Sequence, residues 1–299
     1  MTAHYTPMIQ QYLRIKAQYP DAFLFFRLGD FYELCFDDAV KAAQGLEITL
    51  TKRDGGSNQP VPMCGVPHHS ADHYIARLID KGYKVAICEQ MEDPKQAKGV
   101  VKREVTQLIT PGTIMDSTKI DAKQNNYIAA ISPFCDQTIA VAFCDLTTGE
   151  SRCTKITGGW ESAHQEILAS EARELVIPSS IYNEIEQRAQ NHFTLSIEDE
   201  TKIPEAFSSI VADVIEDKLL VVLGRLFNYL TRTQKRALDH LQPVTVYERD
   251  TFLKMDLSSK KNLELLSVMR GGRKKGSLLW LLDKTVTAMG GRLLKQWLD

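Results

Sequence analysis

The chain has 299 residues, 43% of them hydrophobic and 25% charged, enough apolar material for two or three compact units and without the run of about 18 apolar residues that a membrane-spanning helix needs. Its formal charge of −2 excludes a uniformly basic polyanion binder, yet the charge is unevenly spread. Residues 1–115 hold 13 basic and 13 acidic side chains (net zero), residues 116–245 hold 12 and 19 (net −7), and residues 246–299 hold 11 and 6 (net +5). Phosphate contacts supply most non-specific affinity for a duplex, so the middle stretch is the poorest candidate for touching nucleic acid.

Taken along the chain, "TPMIQQYLRIKAQYP" predicts a helix with Thr6 as N-cap and Pro7 at its first position. "AFLFFRL" is an apolar run of strand length, and "LEITLTKR" alternates like a strand. Between them "DFYELCFDDAVKAAQ" reads as a helix capped by Asp30. "DGGSNQPVP" has loop composition, Ser70 caps a helix over "SADHYIARLIDKGY", and "KVAICEQ" is a strand. This mixed α/β pattern ends near "TPGT", residues 110–113. A second α/β unit follows: strands at "YIAAISPF" and "TIAVAFCDL", a turn at residues 147–149, a helix near 160–171 and a strand at "ELVIPS". "DKLLVVLGRLFNYLTRTQ" is helical, and helix dominates after "MDLSSKKNLELLSVM". The closing "GGRLLKQWLD" begins an amphipathic helix without a glycine cap, and Asp299 falls where the helix dipole least favours an anion, so the chain is read as a piece of a longer protein.

The N-terminus lacks a basic region followed by an apolar stretch, so a secretory leader is not expected. Cys35, Cys64, Cys88, Cys135, Cys144 and Cys153 show no CxxC spacing and suit reduced thiols of a cytoplasmic protein. Cys64, His68, His69, His73 and Cys88 crowd together but match no zinc pattern, and no metal site is assigned. "GGRKKGS", residues 271–277, is not a phosphate-binding P-loop, because Ser277 follows Gly276 with no lysine between and no strand precedes it. Asp145 at a strand end could belong to a two-metal nuclease, whereas Glu198, Asp199 and Glu200 read as a solvated loop. The basic segment at residues 95–103 and the pair Lys52 and Arg53 suit either solvated loops or phosphate contacts.

Phe31 and Glu33 leave two readings open. Asp30 and Glu33 have capping-box spacing, with Phe31 free to join Phe23, Phe25, Phe26 and Phe36 in the core. Alternatively Phe31 and Glu33 act together. Residues two apart share a side in extended chain but not in a helix, so this requires that they stand where the chain enters the helix.

"TPMIQQYLRIKAQYPDAFLFFRLGDFYELCFDDAV", "LTKRDG", "PMCGVPHHSADHYIARLIDKGYKVAICEQMEDP" and "REVTQLITPGT" resemble the N-terminal region of the bacterial MutS mismatch-repair family, and the likeness returns in "DKTVTAMGGRLLKQWLD". The resemblance implies a mixed α/β, multidomain protein. Residues 1–115 would form a mixed-sheet mismatch-recognition domain, 116–245 an RNase H-like connector domain without catalytic acids, and 246–299 the beginning of an all-helical core (lever) domain. It implies that Phe31, in a Phe-Xaa-Glu motif, wedges beside a mispaired base from the minor groove and that Glu33 hydrogen-bonds that base. Arg53 and Arg103 fall where the family's first domain meets the DNA backbone, with Lys52, His69 and Ser70 as further backbone candidates. The implied partners are duplex DNA with mismatches or small loops, a second copy of the full-length parent, and a MutL-like repair factor reached through the connector. ATP and Mg would bind the parent's C-terminal domains, leaving this chain without a cofactor or catalytic residue. A paralogue that binds other DNA structures, and an RNase H-like nuclease centred on Asp145, are the rival readings.

Overall fold

The computed structural model describes residues 5–56, 60–92, 99–114, 125–189, 192–235, 237–248, 255 and 257–298. The chain forms two compact units: Met1–Pro111 with Arg232–Arg236, and Gly112–Thr231 with Ala237–Asp299.

In the first unit, helix α1 (Pro7–Lys16) is followed by strands β1 (Ala22–Leu28) and β2 (Phe31–Cys35), helix α2 (Phe36–Leu46), and strands β3 (Thr51–Arg53) and β4 (Val61–Pro67). A short turn of 3-10 helix at His68–Ser70 leads into helix α3 (Ala71–Asp80), then strands β5 (Lys84–Gln90) and β6 (Arg103–Ile109). The sheet order is β3-β4-β2-β1-β5-β6, with β1 and β5 parallel and every other neighbouring pair antiparallel. The continuous apolar run of β1 is explained by its central place, where both faces are covered. On one face Ile9, Tyr12 and Ile15 of α1 pack with Leu24, Phe26, Ala86, Cys88 and Val105. On the other, α2 rests on β4, where Cys64 Sγ donates to the Ala39 carbonyl (3.5 Å). Where β2 turns away from β1, Asp38 takes the free Leu24 amide (3.1 Å) and pairs with Lys16 (2.9 Å).

The expected helix over residues 30–44 is corrected at its front half: residues 31–35 are strand, and the helix begins at Phe36. Pairing on both sides, with β1 and with β4, satisfies the backbone of these residues and outweighs the local capping pattern. β4 begins inside the loop that composition places at residues 54–62, and "LEITLTKR" contributes only its last three residues to a strand. Residues 57–59 of the expected loop, residues 95–98 of the basic segment and Asp299 lie outside the described residues.

In the second unit, β7 (Tyr127–Pro133), β8 (Thr138–Asp145) and β9 (Glu150–Thr157) form an antiparallel meander. Helix α4 (Gly159–Ala169), β10 (Glu174–Ile177), α5 (Tyr182–Arg188), β11 (Thr194–Ile197), α6 (Asp217–Gln234) and β12 (Thr245–Val246) follow. The order is β11-β10-β7-β8-β9-β12, with β10 parallel to both β7 and β11, the arrangement expected of an RNase H-like sheet. α6 covers one face with Val222, Leu223, Leu226 and Phe227 against Ile128, Ala142 and Cys144. Trp160, Ala163 and Ile167 of α4 and Ile185 of α5 cover the other. Within α6, Gly224 lets the chain at Thr201 press against the helix, and Arg225 and Asn228 donate to the carbonyls of Glu198 and Lys202 on either side. The remaining helices are α7 (Leu257–Asn262), α8 (Leu278–Leu282) and α9 (Ala288–Leu298).

Candidate nucleic-acid interface

The hairpin between β1 and β2 is as tight as a hairpin can be: Leu28 pairs with Phe31, leaving only Gly29 and Asp30 as the loop. Gly29 takes a φ of +59° at the first loop position, which a glycine adopts without strain. Asp30 is therefore a turn residue and not a helix cap; its carbonyl accepts the His68 amide (2.8 Å). That bond ties the hairpin to the end of β4, whose Pro67 pairs with Phe31. Alternation along β2 then sorts its side chains. Tyr32 points to the covered face, where it is buried, donates to Glu89 and lies 5.3 Å from the His68 ring. Burial first, then Glu89, pushes its phenol above the ordinary range. Phe31 points to the opposite face and is 46% exposed, unlike the buried Phe23, Phe25 and Phe26.

Glu33 shares the Phe31 face. Its Oε2 lies 3.6 Å from Nη1 of Arg53, and its side chain keeps 22% of its surface. Burial raises its carboxyl above the usual carboxylate range, opposed by the Arg53 and Arg103 guanidinium groups. The cross-strand partner of Glu33 is Gly65. That exposed glycine leaves the surface between Phe31 and Glu33 as bare backbone.

The candidate backbone residues divide. Arg53 is half-exposed beside Glu33. Lys52 is exposed but paired with Pro62, one step out of phase with Arg53 and so on the other face. His69 is exposed and Ser70 half-buried in the turn after β4, with Ser70 Oγ donating to the Pro67 carbonyl (3.3 Å). Arg103 keeps only 6% of its surface. Its Nε donates to the Arg27 carbonyl (2.7 Å), and Nη1 donates to the Val101 carbonyl (2.9 Å) and Gln11 Oε1 (3.1 Å). The guanidinium stands 4.7 Å from the centre of the Phe26 ring. Arg103 thus braces the sheet behind Glu33 and is not presented to solvent. Sequence reasoning did not single out Gly65; a glycine in "MCGVP" carries no signal until β4 is known to pair with β2.

The other candidates are occupied otherwise. Asp145 is fully buried, with Oδ1 accepting from Thr147 N (2.8 Å) and Oγ1 (2.6 Å), and Oδ2 from Asn125 Nδ2 (3.0 Å) and the Asn126 amide (3.3 Å). Cys64 and Cys88 lie on different strands, and burial pushes their thiols up to about 11 and about 12, against the thiolate a metal needs. Among the described residues no group of three or more His, Cys, Asp or Glu is placed to hold a metal ion. The loop at residues 271–277 is preceded by α7 and the chain after it, not by a strand. No helix of the described residues is long and apolar enough to cross a membrane.

Residues 6–118 match the family model for MutS domain I, residues 126–242 that for MutS domain II, and residues 258–299 that for MutS domain III. The chain belongs to the MutS family. Phe31, Glu33, Arg53 and Gly65 all fall inside the stretch that matches MutS domain I. The DNA mismatch repair protein MutS of Geobacillus sp. (strain WCH70) is 60% identical over 299 residues, covering 99% of this chain and 35% of that protein. The protein of the same name from Geobacillus thermodenitrificans is 59% identical over 301 residues, covering 100% of the chain and 33% of the relative. That of Bacillus cytotoxicus is 58% identical over 299 residues, with 99% and 33% covered. The chain thus spans about a third of the length of these MutS relatives.

Proposed function

We propose that this chain supplies the part of a MutS-family protein that reads mispaired or unpaired bases in duplex DNA, with Phe31 as the inserted wedge and Glu33 as the group that hydrogen-bonds the displaced base. The observation that carries the reading is an exposed phenyl ring and a half-buried carboxyl on one face of a strand held on both sides by neighbours. An apolar wedge must unstack a base step, which costs roughly a few kcal/mol and less where pairing is already defective. Discrimination then follows from how easily the duplex deforms. Arg53, half-exposed beside Glu33, takes a backbone phosphate in this reading. When it does, the cation that holds Glu33 down is engaged elsewhere, and desolvation near phosphates favours the protonated, donating acid. Arg103 serves as a positioning residue behind Glu33; Lys52, His69 and Ser70 are reserved for more distant backbone contacts.

The rest of the reading concerns a cytoplasmic protein of the relatives' length. It is a homodimer that engages a MutL-like factor through the connector at residues 116–245, and ATP and Mg are held by parts outside this sequence. No residue described here is assigned to either cofactor, and no catalytic step is assigned to this chain. The nuclease alternative is disfavoured because both Asp145 oxygens are already taken by the chain itself. A junction-binding paralogue would have no use for an exposed wedge.

The test is equilibrium binding, at one fixed salt concentration, of the full-length protein and its Phe31→Ala variant to a duplex with a single mismatch and to its fully paired counterpart. The parent is expected to prefer the mismatched duplex and the variant to lose that preference. Since Phe31 is about half exposed, its removal costs only about 1 kcal/mol of folding stability. A parent without preference, or a variant that keeps it, overturns the proposal.

A further inference from the structure

Gly65 is an anomaly within its strand. It sits inside β4, paired with Glu33 through the backbone, and its φ is not positive. Neither a turn nor a left-handed conformation requires a glycine there. A strand-interior glycine weakens a sheet and commonly marks a place where a ligand or another backbone comes close. Core packing does not require it either. A methyl group built on Gly65 would lie 3.5 Å from the Tyr32 carbonyl oxygen, 3.6 Å from Glu33 Cγ and 3.7 Å from Phe31 Cδ1. These are ordinary contact distances, so the chain has room for an alanine. What the glycine preserves is the open space directly above it, walled on one side by the Phe31 ring and on the other by the Glu33 stem.

We infer that Gly65 is a specificity-determining residue. Its bare backbone is the floor of a slot between Phe31 and Glu33 that receives the sugar-and-base edge of the displaced nucleotide. The inference rests on the proposed mismatch reading and deepens it. The wedge opens the stack, the carboxyl meets the base, and the missing side chain lets the nucleotide settle between them. Backbone approached this closely by a ligand is a recurrent use of glycine. A β-branched side chain would project its methyl groups into the slot while suiting the strand better than glycine does. Fold and function therefore pull in opposite directions at this position, which separates the two explanations of the glycine.

The experiment compares full-length parent, Gly65→Ala, Gly65→Val and Phe31→Ala for thermal midpoint and for the ratio of affinities toward a single-mismatch duplex and its paired counterpart. Gly65→Val is expected to melt no lower than the parent while its affinity ratio falls by about tenfold or more (~1.4 kcal/mol), with Gly65→Ala between the two. A well-folded Gly65→Val that keeps the parental ratio overturns the slot, and if Phe31→Ala loses the ratio in the same assay the mismatch reading survives without it. A ratio unmoved by Phe31→Ala sinks the reading itself. Should Gly65→Val fail to fold, the strand tolerance claimed here is wrong, and Gly65→Ala alone decides whether the slot is used.

Discussion

Replacing Gly224 by alanine is the sharpest test of how the second unit is held together, because the local and tertiary expectations have opposite signs. In an ordinary exposed helix interior the change gains about 1 kcal/mol. In α6 the new methyl would stand 1.8 Å from the Thr201 carbonyl oxygen and 2.4 Å from its carbonyl carbon. Both are backbone atoms, so the conflict is relieved only by moving the chain at 198–202 away from the helix, by roughly 1.5 Å to reach normal contact. That movement pulls on the bonds from Arg225 to the Glu198 carbonyl and from Asn228 to the Lys202 carbonyl (2.7 Å). Weakened bonds of this kind cost about 1–3 kcal/mol, and overpacking adds about 1–3 kcal/mol. Set against the helix gain, the net loss comes to about 1–5 kcal/mol, and a central value of about 3 kcal/mol lowers the thermal midpoint by about 6–12 °C for a unit of this size. Circular dichroism melts of Gly224→Ala, paired with Gly45→Ala, measure it. Gly45 lies in α2 with its nearest neighbours 4.0 Å from the added methyl, so the same substitution there is expected to stabilise by about 0.5–1 kcal/mol. A Gly224→Ala protein as stable as its parent would refute the close approach of the 198–202 segment.

Glu33→Gln tests the carboxyl. With its pKa raised in the folded chain, Glu33 contributes stability below the ordinary carboxylate range and loses that contribution as pH rises through the folded value. The glutamine variant should therefore melt no lower than the parent near neutral pH, with the gap closing toward about pH 4. It should also bind paired and mismatched duplex at least as tightly but discriminate less; loss of all DNA binding would defeat the donating-acid idea. His164 gives the opposite pH signature. It is buried and stacked on Trp160 (5.0 Å, 15°), and its Nε2 has no partner. Burial first, and His192 second, hold its pKa below the ordinary value. The folded chain favours neutral imidazole, so stability should fall as pH drops below about 6.5. A His164→Phe variant whose midpoint declines as steeply as the parent's between about pH 7.5 and 5.5 would acquit this histidine.

Much of the fold could be read from residues alone where local pattern and tertiary role agree. The run at Ala22–Leu28, the strand at Lys84–Gln90 and the helix at Asp217–Gln234 lie where periodicity puts them. The reading failed where the decisive partner is distant in sequence. "FYELC" sits between a capping-box spacing and a genuine helix, and only pairing with residues 26–28 and 63–67 makes it strand. β4 carries two prolines and a glycine and begins inside what composition assigns to loop, yet Pro62 and Pro67 are accommodated within it and Gly65 shares the face of Phe31 and Glu33. Phe31 and Glu33 were singled out by a family resemblance, with the wrong backbone beneath them. As neighbours on a strand they do point together, as the extended alternative requires, with strand pairing in place of a helix entrance. The family resemblance puts Arg103 among the DNA-backbone candidates, because burial of a guanidinium against Phe26 and main-chain carbonyls leaves no trace in sequence.

The two-residue hairpin loop has a consequence for energetics. The ring at its base is carried by backbone paired on both edges and tied at the tip by the bond from the His68 amide to Asp30. If Phe31 is the wedge proposed above, one mounted this stiffly has little conformational freedom left to surrender on meeting DNA, so little of its contact energy is spent on ordering the protein. Nearly all the adjustment must then be made by the nucleic acid, and small differences in how readily one base step gives way pass undiluted into differences in affinity.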